Sequence, residues 1–457
     1  MDTPICDFVR RYADSGTLRL HMPGHKGTGP LGCEQLDITE ICGADSLYEA
    51  EGIIAKSEEN ASRLFCCPTF YSTEGSSQCI RAMMYLISLY AKQQEKPLRI
   101  AAGRNAHKAF LTAAALLDVE VDWLYPEEET AYLCCNITAG DLEHYFSTCP
   151  AAPVAVYVTS PDYLGNLLDI AGLAEVCHRH GTLLAVDNAH GAYLHFLSPS
   201  LHPMDLGADL CCDSAHKTLP VLTGGAYLHV SAFAPALFAQ QAKNALALFG
   251  STSPSYLILQ SLDAANAILD DPDYIRNLNA LRFQLEDCRA QLRRHGISTG
   301  PFLNCDPLKL TLYPRQYGYT GIALAEYLRC HGIECEFADP DFLVLMATPA
   351  ITEADLQHLA DTLTALPRRD PVRTMPPRIP RPEKVMSIRQ AALACSQRLP
   401  VEQCLDRVLA VPTVGCPPAV PILVCGERIQ AQALACFAYY GINHCFVVQQ
   451  PEPGNQP

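Results

Sequence analysis

Thr182-Leu-Leu-Ala-Val-Asp-Asn-Ala-His190 and Leu206-Gly-Ala-Asp-Leu-Cys-Cys-Asp-Ser-Ala-His-Lys217 are the stretches on which the reading of the fold turns. In each, an apolar run ends abruptly in groups that can bind or move protons. Val154-Ala-Val-Tyr-Val-Thr159 upstream is a third run of the same kind. Strands without polar alternation are buried on both faces, which is the signature of a mostly parallel sheet covered by helices. Ile170 to His180 supplies such a helix, with Leu173, Val176 and Cys177 along one side. Successive strands are therefore Val154–Thr159, Thr182–Val186 and Leu206–Cys212. Right-handed crossovers put the loops that follow them at the carboxyl edge of the sheet, where ligands bind.

Working outward, a second block opens after residue 256 with helical stretches Leu257–Leu269 and Tyr274–His295. Strand-like Lys309–Tyr313, helical Gly321–His331 and strand-like Phe342–Met346 follow. The fold class expected is α/β: a large domain with a mostly parallel sheet, a smaller α/β domain and a short C-terminal α/β tail. The limits expected are an N-terminal arm at 1–35, the large domain at 36–256 and the small domain at 257–366. A Pro- and Arg-rich linker would span 367–383 and the C-terminal domain 384–457, its end at Pro451–Pro457 frayed. A chain of 457 residues is long enough for this many cores.

Composition excludes some classes of function. The formal net charge of −16 argues against a general polyanion binder, because phosphate backbones are held by clustered Lys and Arg. The 22 cysteines include the adjacent pairs Cys66-Cys67, Cys134-Cys135 and Cys211-Cys212 but no C-x-x-C, so small buried hydrophobes are expected and no metal site. Asp2, Asp7, Arg10, Arg11 and Asp14 leave no apolar core for a secretory signal. Pro412, Pro417, Pro418 and Pro421 interrupt the long uncharged stretch Val408–Gly426, which a membrane helix would not tolerate. A soluble, cytoplasmic protein with no nucleic-acid or membrane partner is expected.

Four segments carry chemistry. Lys217 follows a strongly apolar strand and precedes Thr-Leu-Pro-Val-Leu-Thr-Gly-Gly, so it is placed to be desolvated and to lose its proton, as a Schiff-base amine requires. Asp187 ends its strand either as a helix cap or as a carboxylate that keeps a pyridine nitrogen protonated. Gly75-Ser76-Ser77 leads into an apolar helix, Cys79 to Leu89. It reads as a cap or as an anion site of backbone N–H groups and hydroxyls. His107 and His190 sit in loops of the same type, where a histidine serves chemistry or a local hydrogen bond.

Taken together, these segments resemble the Orn/Lys/Arg decarboxylase family in its short form, pyridoxal-phosphate enzymes of fold type I in the aspartate aminotransferase superfamily. The resemblance runs through Leu20-His-Met-Pro-Gly-His-Lys-Gly27, Asp37–Leu47, Arg104-Asn-Ala-His-Lys108 and Thr159-Ser-Pro161. It continues through Val186–Ala192, Ser214-Ala-His-Lys217, Ser251–Tyr256 and Cys416–Arg428. It implies pyridoxal 5'-phosphate as cofactor, carried by Lys217, with Asp187 on the ring nitrogen and His107 stacked on the ring. Gly75, Ser76, Ser77 and Ser214 would hold the phosphate, Ser160 and His190 would lie around the phenolic edge and substrate end, and His216 would stand beside the lysine. Ser253 would reach a partner's phosphate across a homodimer, or a higher homo-oligomer, with shared sites.

The reaction implied is decarboxylation of arginine, lysine or ornithine to an amine, the chemistry of polyamine biosynthesis. The alternatives are another reaction at Cα, such as transamination, and a cofactor-binding regulatory paralogue. Three residues depart from the family pattern. Glu74 stands where Asn is frequent, Asn188 where Glu is frequent and Asp213 where a neutral polar residue is frequent. The substrate's distal cation needs a polar partner, since an unpaired buried charge is costly. Asp45, and less so Glu40, are the candidates, with a helix cap or a solvated acid as the alternative.

Overall fold

The computed structural model describes residues 1–126, 131–300, 304–413 and 418–450. Cys416 and Pro417 of the Cys416–Arg428 segment, and the Pro451–Pro457 end, lie outside the described residues. The chain divides into two compact units. The first comprises Met1–Pro97, Leu142–Pro161 and Asp169–Asn279; the second comprises Leu98–Asp141, Asp162–Leu168 and Ala280–Pro457.

The strands in chain order are β1 (Thr69–Ser72), β2 (Arg99–Gly103), β3 (Glu120–Leu124), β4 (Ala155–Thr159), β5 (Leu183–Asp187), β6 (Leu210–Asp213) and β7 (Ala226–Val230). In the first unit they lie in the order β1-β7-β6-β5-β4. β4, β5 and β6 are mutually parallel, and β7 is antiparallel to both β6 and β1. β1, β4, β5 and β6 therefore point the same way, and the fold is α/β with a mostly parallel sheet. Every residue of β5, β6 and β7 is buried, as their unbroken apolar runs require.

The crossover from β4 to β5 is the helix Ile170–Arg179. The Asp169 carboxylate starts it by accepting from the Gly172 N–H at 3.1 Å. Ile170, Leu173, Ala174, Val176 and Cys177 form its buried stripe. Each large apolar side chain so buried contributes about 1.5–3 kcal/mol. The predicted strand Leu206–Cys212 starts later than its apolar character suggested. The N–H groups of Leu206 and Ala208 both bond the Pro203 carbonyl, closing turns that delay β6 until Leu210.

In the second unit β2 and β3 pair in parallel. β8 (Lys309–Leu312), β9 (Phe337–Ala338) and β10 (Leu343–Met346) form an antiparallel sheet in the order β8-β10-β9. Leu292, Leu310, Leu324, Leu328, Leu343 and Leu363 make its core with the neighbouring helices. Residues 367–383 contain neither helix nor strand. β11 (Ser396–Pro400) and β12 (His444–Val448) pair beside the helix Ala431–Tyr439, over Leu409, Leu423, Phe437 and Val447. Among the described residues, no helix is long and apolar enough to cross a membrane.

Candidate active site

Because β1, β4, β5 and β6 share a direction, their carboxyl ends lie along one edge of the first unit's sheet. There they deliver Gly75–Ser77, Ser160, Asp187–His190 and Ser214–Lys217. Asp187 is the last residue of β5 and pairs in register with Cys212 of β6. Lys217 stands on the single helical turn Ala215–Thr218 that follows β6. The parallel pairing of β5 and β6 is what brings two distant stretches of chain side by side.

The Lys217 Nζ lies 3.1 Å from His190 Nε2. Asp187 is 2% exposed. Its Oδ2 accepts from the Tyr157 hydroxyl at 3.2 Å, and its Oδ1 from the Ala189 N–H at 3.2 Å and the Cys212 thiol at 3.7 Å. Burial pushes this carboxyl above its usual range, and the charge of Lys217 pulls it back. His216 donates from Nδ1 to the Gly225 carbonyl at 2.9 Å, so in the neutral ring Nε2 is the acceptor. Burial lowers the pKa of His216, which keeps it neutral more readily than an exposed histidine.

A candidate anion cradle is built at Gly75. It holds φ +73°, precedes the helix Ser76–Gln93 and donates its N–H to the Gly224 carbonyl at 2.7 Å. A Cβ on Gly224 would stand 2.8 Å from the Thr73 carbonyl oxygen, so only glycine allows this approach. A Cβ on Gly75 would meet nothing nearer than His216 Cε1 at 4.0 Å, which leaves open space in front of the helix start. First-turn N–H groups have no partner within their own helix and carry the positive end of its dipole. The hydroxyls of Ser214 and Ser76 are joined at 2.8 Å beside them. An anion cradle, a half-buried lysine and a buried carboxylate bonded by neutral groups fit a pyridoxal phosphate: phosphate, aldehyde and ring nitrogen each have a complementary group.

The remaining expected residues each make local hydrogen bonds. Ser160 donates its N–H to the Asp187 carbonyl at 3.0 Å and so braces the end of β5. His107 belongs to the second unit, where it caps the helix Lys108–Leu117, its Nδ1 accepting from the Ala109 N–H at 3.1 Å. Ser253 lies in an exposed loop, its N–H bonded to the Ser251 hydroxyl at 3.1 Å. Glu74 does not stand as an unmatched charge before the cradle, because its Oε1 accepts from the Ser251 N–H at 2.5 Å and anchors that loop.

Asp45 is bonded to the chain that follows it. Its Oδ1 accepts from the Glu51 N–H at 3.1 Å, and its Oδ2 from Gly52 at 2.7 Å and Ile54 at 3.1 Å. Both oxygens thus bond the start of the helix Ile53–Leu64, the arrangement of the helix-cap alternative. Glu40 is exposed and accepts from the Thr39 hydroxyl at 2.7 Å. Tyr157 was not singled out from the sequence. The signal for it was there: one polar tip inside the apolar run of β4.

Comparison with known proteins places the chain. Residues 3–305 match the family model "Orn/Lys/Arg decarboxylase, major domain". An arginine decarboxylase of Halalkalibacterium halodurans is 29% identical over 465 residues, covering 95% of this chain and 92% of that protein. An arginine decarboxylase of Bacillus subtilis is 25% identical, covering 99% and 96%. The crystal structure of the Francisella novicida lysine decarboxylase shares the fold, with a TM-score of 0.79 at 17% identity, over 98% of this chain and 81% of that one. With the family model spanning well over half of its length, the chain belongs to the Orn/Lys/Arg decarboxylase family.

Proposed function

We propose that the protein is a pyridoxal-phosphate-dependent decarboxylase of a basic amino acid, with arginine the first substrate to test and agmatine the product. The observation that carries this reading is the set of groups along one sheet edge: Lys217 and His190 at 3.1 Å, Asp187 buried at the end of β5, and the Gly75–Ser77 helix start with Ser214. Two relatives that cover nearly the whole chain are named arginine decarboxylases.

When bound, the cofactor supplies an electron sink for the pair left as carbon dioxide departs from Cα. Lys217 carries the cofactor. Asp187 holds a proton on the ring nitrogen, a task suited to an ionised carboxylate in a dry setting. Ser76, Ser77, Ser214 and the Gly75 turn hold the phosphate, while Ser160 and His190 line the phenolic edge. His216 or Lys217 returns the proton to Cα. The exposed Ser251–Ser255 loop completes the site of a second copy in a cytoplasmic homodimer.

The test is a panel of arginine, lysine and ornithine with the cofactor-loaded protein, reading carbon dioxide and amine. Agmatine from arginine is the expected result. A keto acid product would make the protein an aminotransferase, and cofactor binding without turnover of any amino acid would make it a regulatory paralogue.

A further inference from the structure

On the face of β5 and β6 opposite Asp187 lies a second buried carboxylate. Side chains alternate along a strand, so Asn188 and Asp213 point away from the face of Asp187 and Cys212. Asp213 Oδ1 accepts from Asn188 Nδ2 at 2.6 Å. Its Oδ2 accepts from His202 Nε2 at 3.0 Å and His229 Nε2 at 3.1 Å. All four side chains are fully enclosed, at 0% exposure.

Both histidines are oriented from behind. His202 Nδ1 accepts from the Met204 N–H at 3.3 Å, so the proton of the neutral ring sits on Nε2, facing Asp213. His229 comes from β7, opposite Cys211, and its Nδ1 meets the Thr69 hydroxyl at 2.9 Å. Phe65 packs on both rings, with centroids 5.8 and 4.7 Å away. Burial works against the Asp213 charge, yet the two histidines hold its carboxyl well below the usual carboxylate range.

Where this network attaches gives it a purpose. Asp187 and Cys212 are the last register pair of β5 and β6, and the Asn188–Asp213 bond is the next rung, made by side chains where the backbone ladder ends. Asn188 directly follows Asp187. Asp213 directly precedes Ser214 and the turn that bears His216 and Lys217. A rigid ring that must meet Asp187 with its nitrogen, Lys217 with its aldehyde carbon and Ser214 with its phosphate tolerates displacements of only about 0.5 Å between those groups.

We propose that Asp213, clamped by His202 and His229, is a positioning residue that fixes, through Asn188, the Asp187 strand end against the Ser214–Lys217 turn. The inference rests on the decarboxylase reading for its kinetic consequence, and on the cofactor-free chain for its structural one.

Three variants test it. Asn188→Ala removes one hydrogen bond without stranding a charge, since the Asn188 Oδ1 has no hydrogen-bond partner. Asp213→Asn keeps the shape and removes the carboxylate. The double variant Asn188→Asp/Asp213→Asn restores the rung with the carboxylate moved to β5. In the cofactor-free protein, amide hydrogen exchange at 187–190 and 214–217 should quicken in both single variants, slow again in the double one, and stay constant at 155–159.

In the loaded enzyme, kcat should fall about tenfold or more in the single variants while KM stays within about threefold, because a misplaced group costs rate rather than binding. The visible absorption of the bound cofactor should change with kcat, and the double variant should recover part of both. Unchanged exchange in the two segments overturns the inference. So does turnover of Asn188→Ala at the wild-type rate. Wild-type protein that takes up no cofactor refutes the decarboxylase reading instead, and exchange alone then decides the clamp.

Discussion

Asp187 and Asp213 sit one strand apart, both almost wholly buried, and their surroundings do opposite things to them. Asp187 accepts hydrogen bonds from a phenol, a backbone amide and a thiol, all neutral, and burial raises its pKa. Asp213 is met by two imidazoles, an amide side chain and the Cys211 thiol, and its pKa is driven down. A buried charge is retained when its environment repays the lost hydration. The interior of the first unit does so for Asp213, which makes it a fixed part of the scaffold. For Asp187 the repayment is incomplete within the scaffold, and in the proposed function a protonated ring nitrogen would complete it. Two carboxylates of equal burial are therefore told apart by the partners around them.

The largest effect expected from this contrast is at Asp187. Asp187→Ala should retain some cofactor, with kcat reduced by about two to three orders of magnitude, since losing one member of a buried charge pair costs about 3–5 kcal/mol. Turnover within about threefold of wild type, a change under about 1 kcal/mol, would break the contrast.

A smaller effect is expected at Asp45, whose four backbone hydrogen bonds make it a scaffold carboxylate like Asp213. Asp45→Asn should lower unfolding stability by about 2 kcal/mol, in the range for hydrogen bonds to a charged group, and leave the KM for arginine unchanged. A KM raised about tenfold with stability intact would return Asp45 to the substrate.

The smallest is at Asp339 in the second unit. Its Oδ1 accepts from the Asp341 and Phe342 N–H groups at 2.7 Å, while its Oδ2 has no hydrogen-bond partner. Burial is the main cause that pushes this carboxyl up to about 7. The folded state thus holds a proton that the unfolded chain releases near pH 4, roughly. The stability this contributes is present in full below that pH and is lost as pH rises through 7. Asp339→Asn should therefore stabilise the protein relative to wild type by about 1 kcal/mol at pH 8 and by less at pH 5, read from denaturant midpoints. An equal effect at both pH values would show that Asp339 is ionised throughout.

Much of this architecture was legible in the sequence. β4, β5 and β6 announced themselves as apolar runs, and their common direction followed from the helix between β4 and β5. Lys217 stood out because an apolar strand leads directly into it. Lys309 shows the limit of that signal: it also opens an apolar strand and is more deeply buried, yet its Nζ donates to the Asp162 and Tyr163 carbonyls at 3.1 and 3.3 Å. Context made both lysines conspicuous, and only their partners separate them. The His202–Asp213–His229 clamp was not legible, because cross-strand register and the course of the loop to His202 decide it, and neither leaves a local pattern. Which alternative Asp45 takes was not legible for a related reason: its carboxylate meets a helix start several residues downstream, by way of a turn.

The most direct test of the account is borohydride reduction of the pyridoxal-phosphate-loaded protein followed by peptide mapping. The account predicts a single labelled peptide carrying the cofactor on Lys217. A label on Lys309 or any other lysine, or no label after reconstitution, would contradict it.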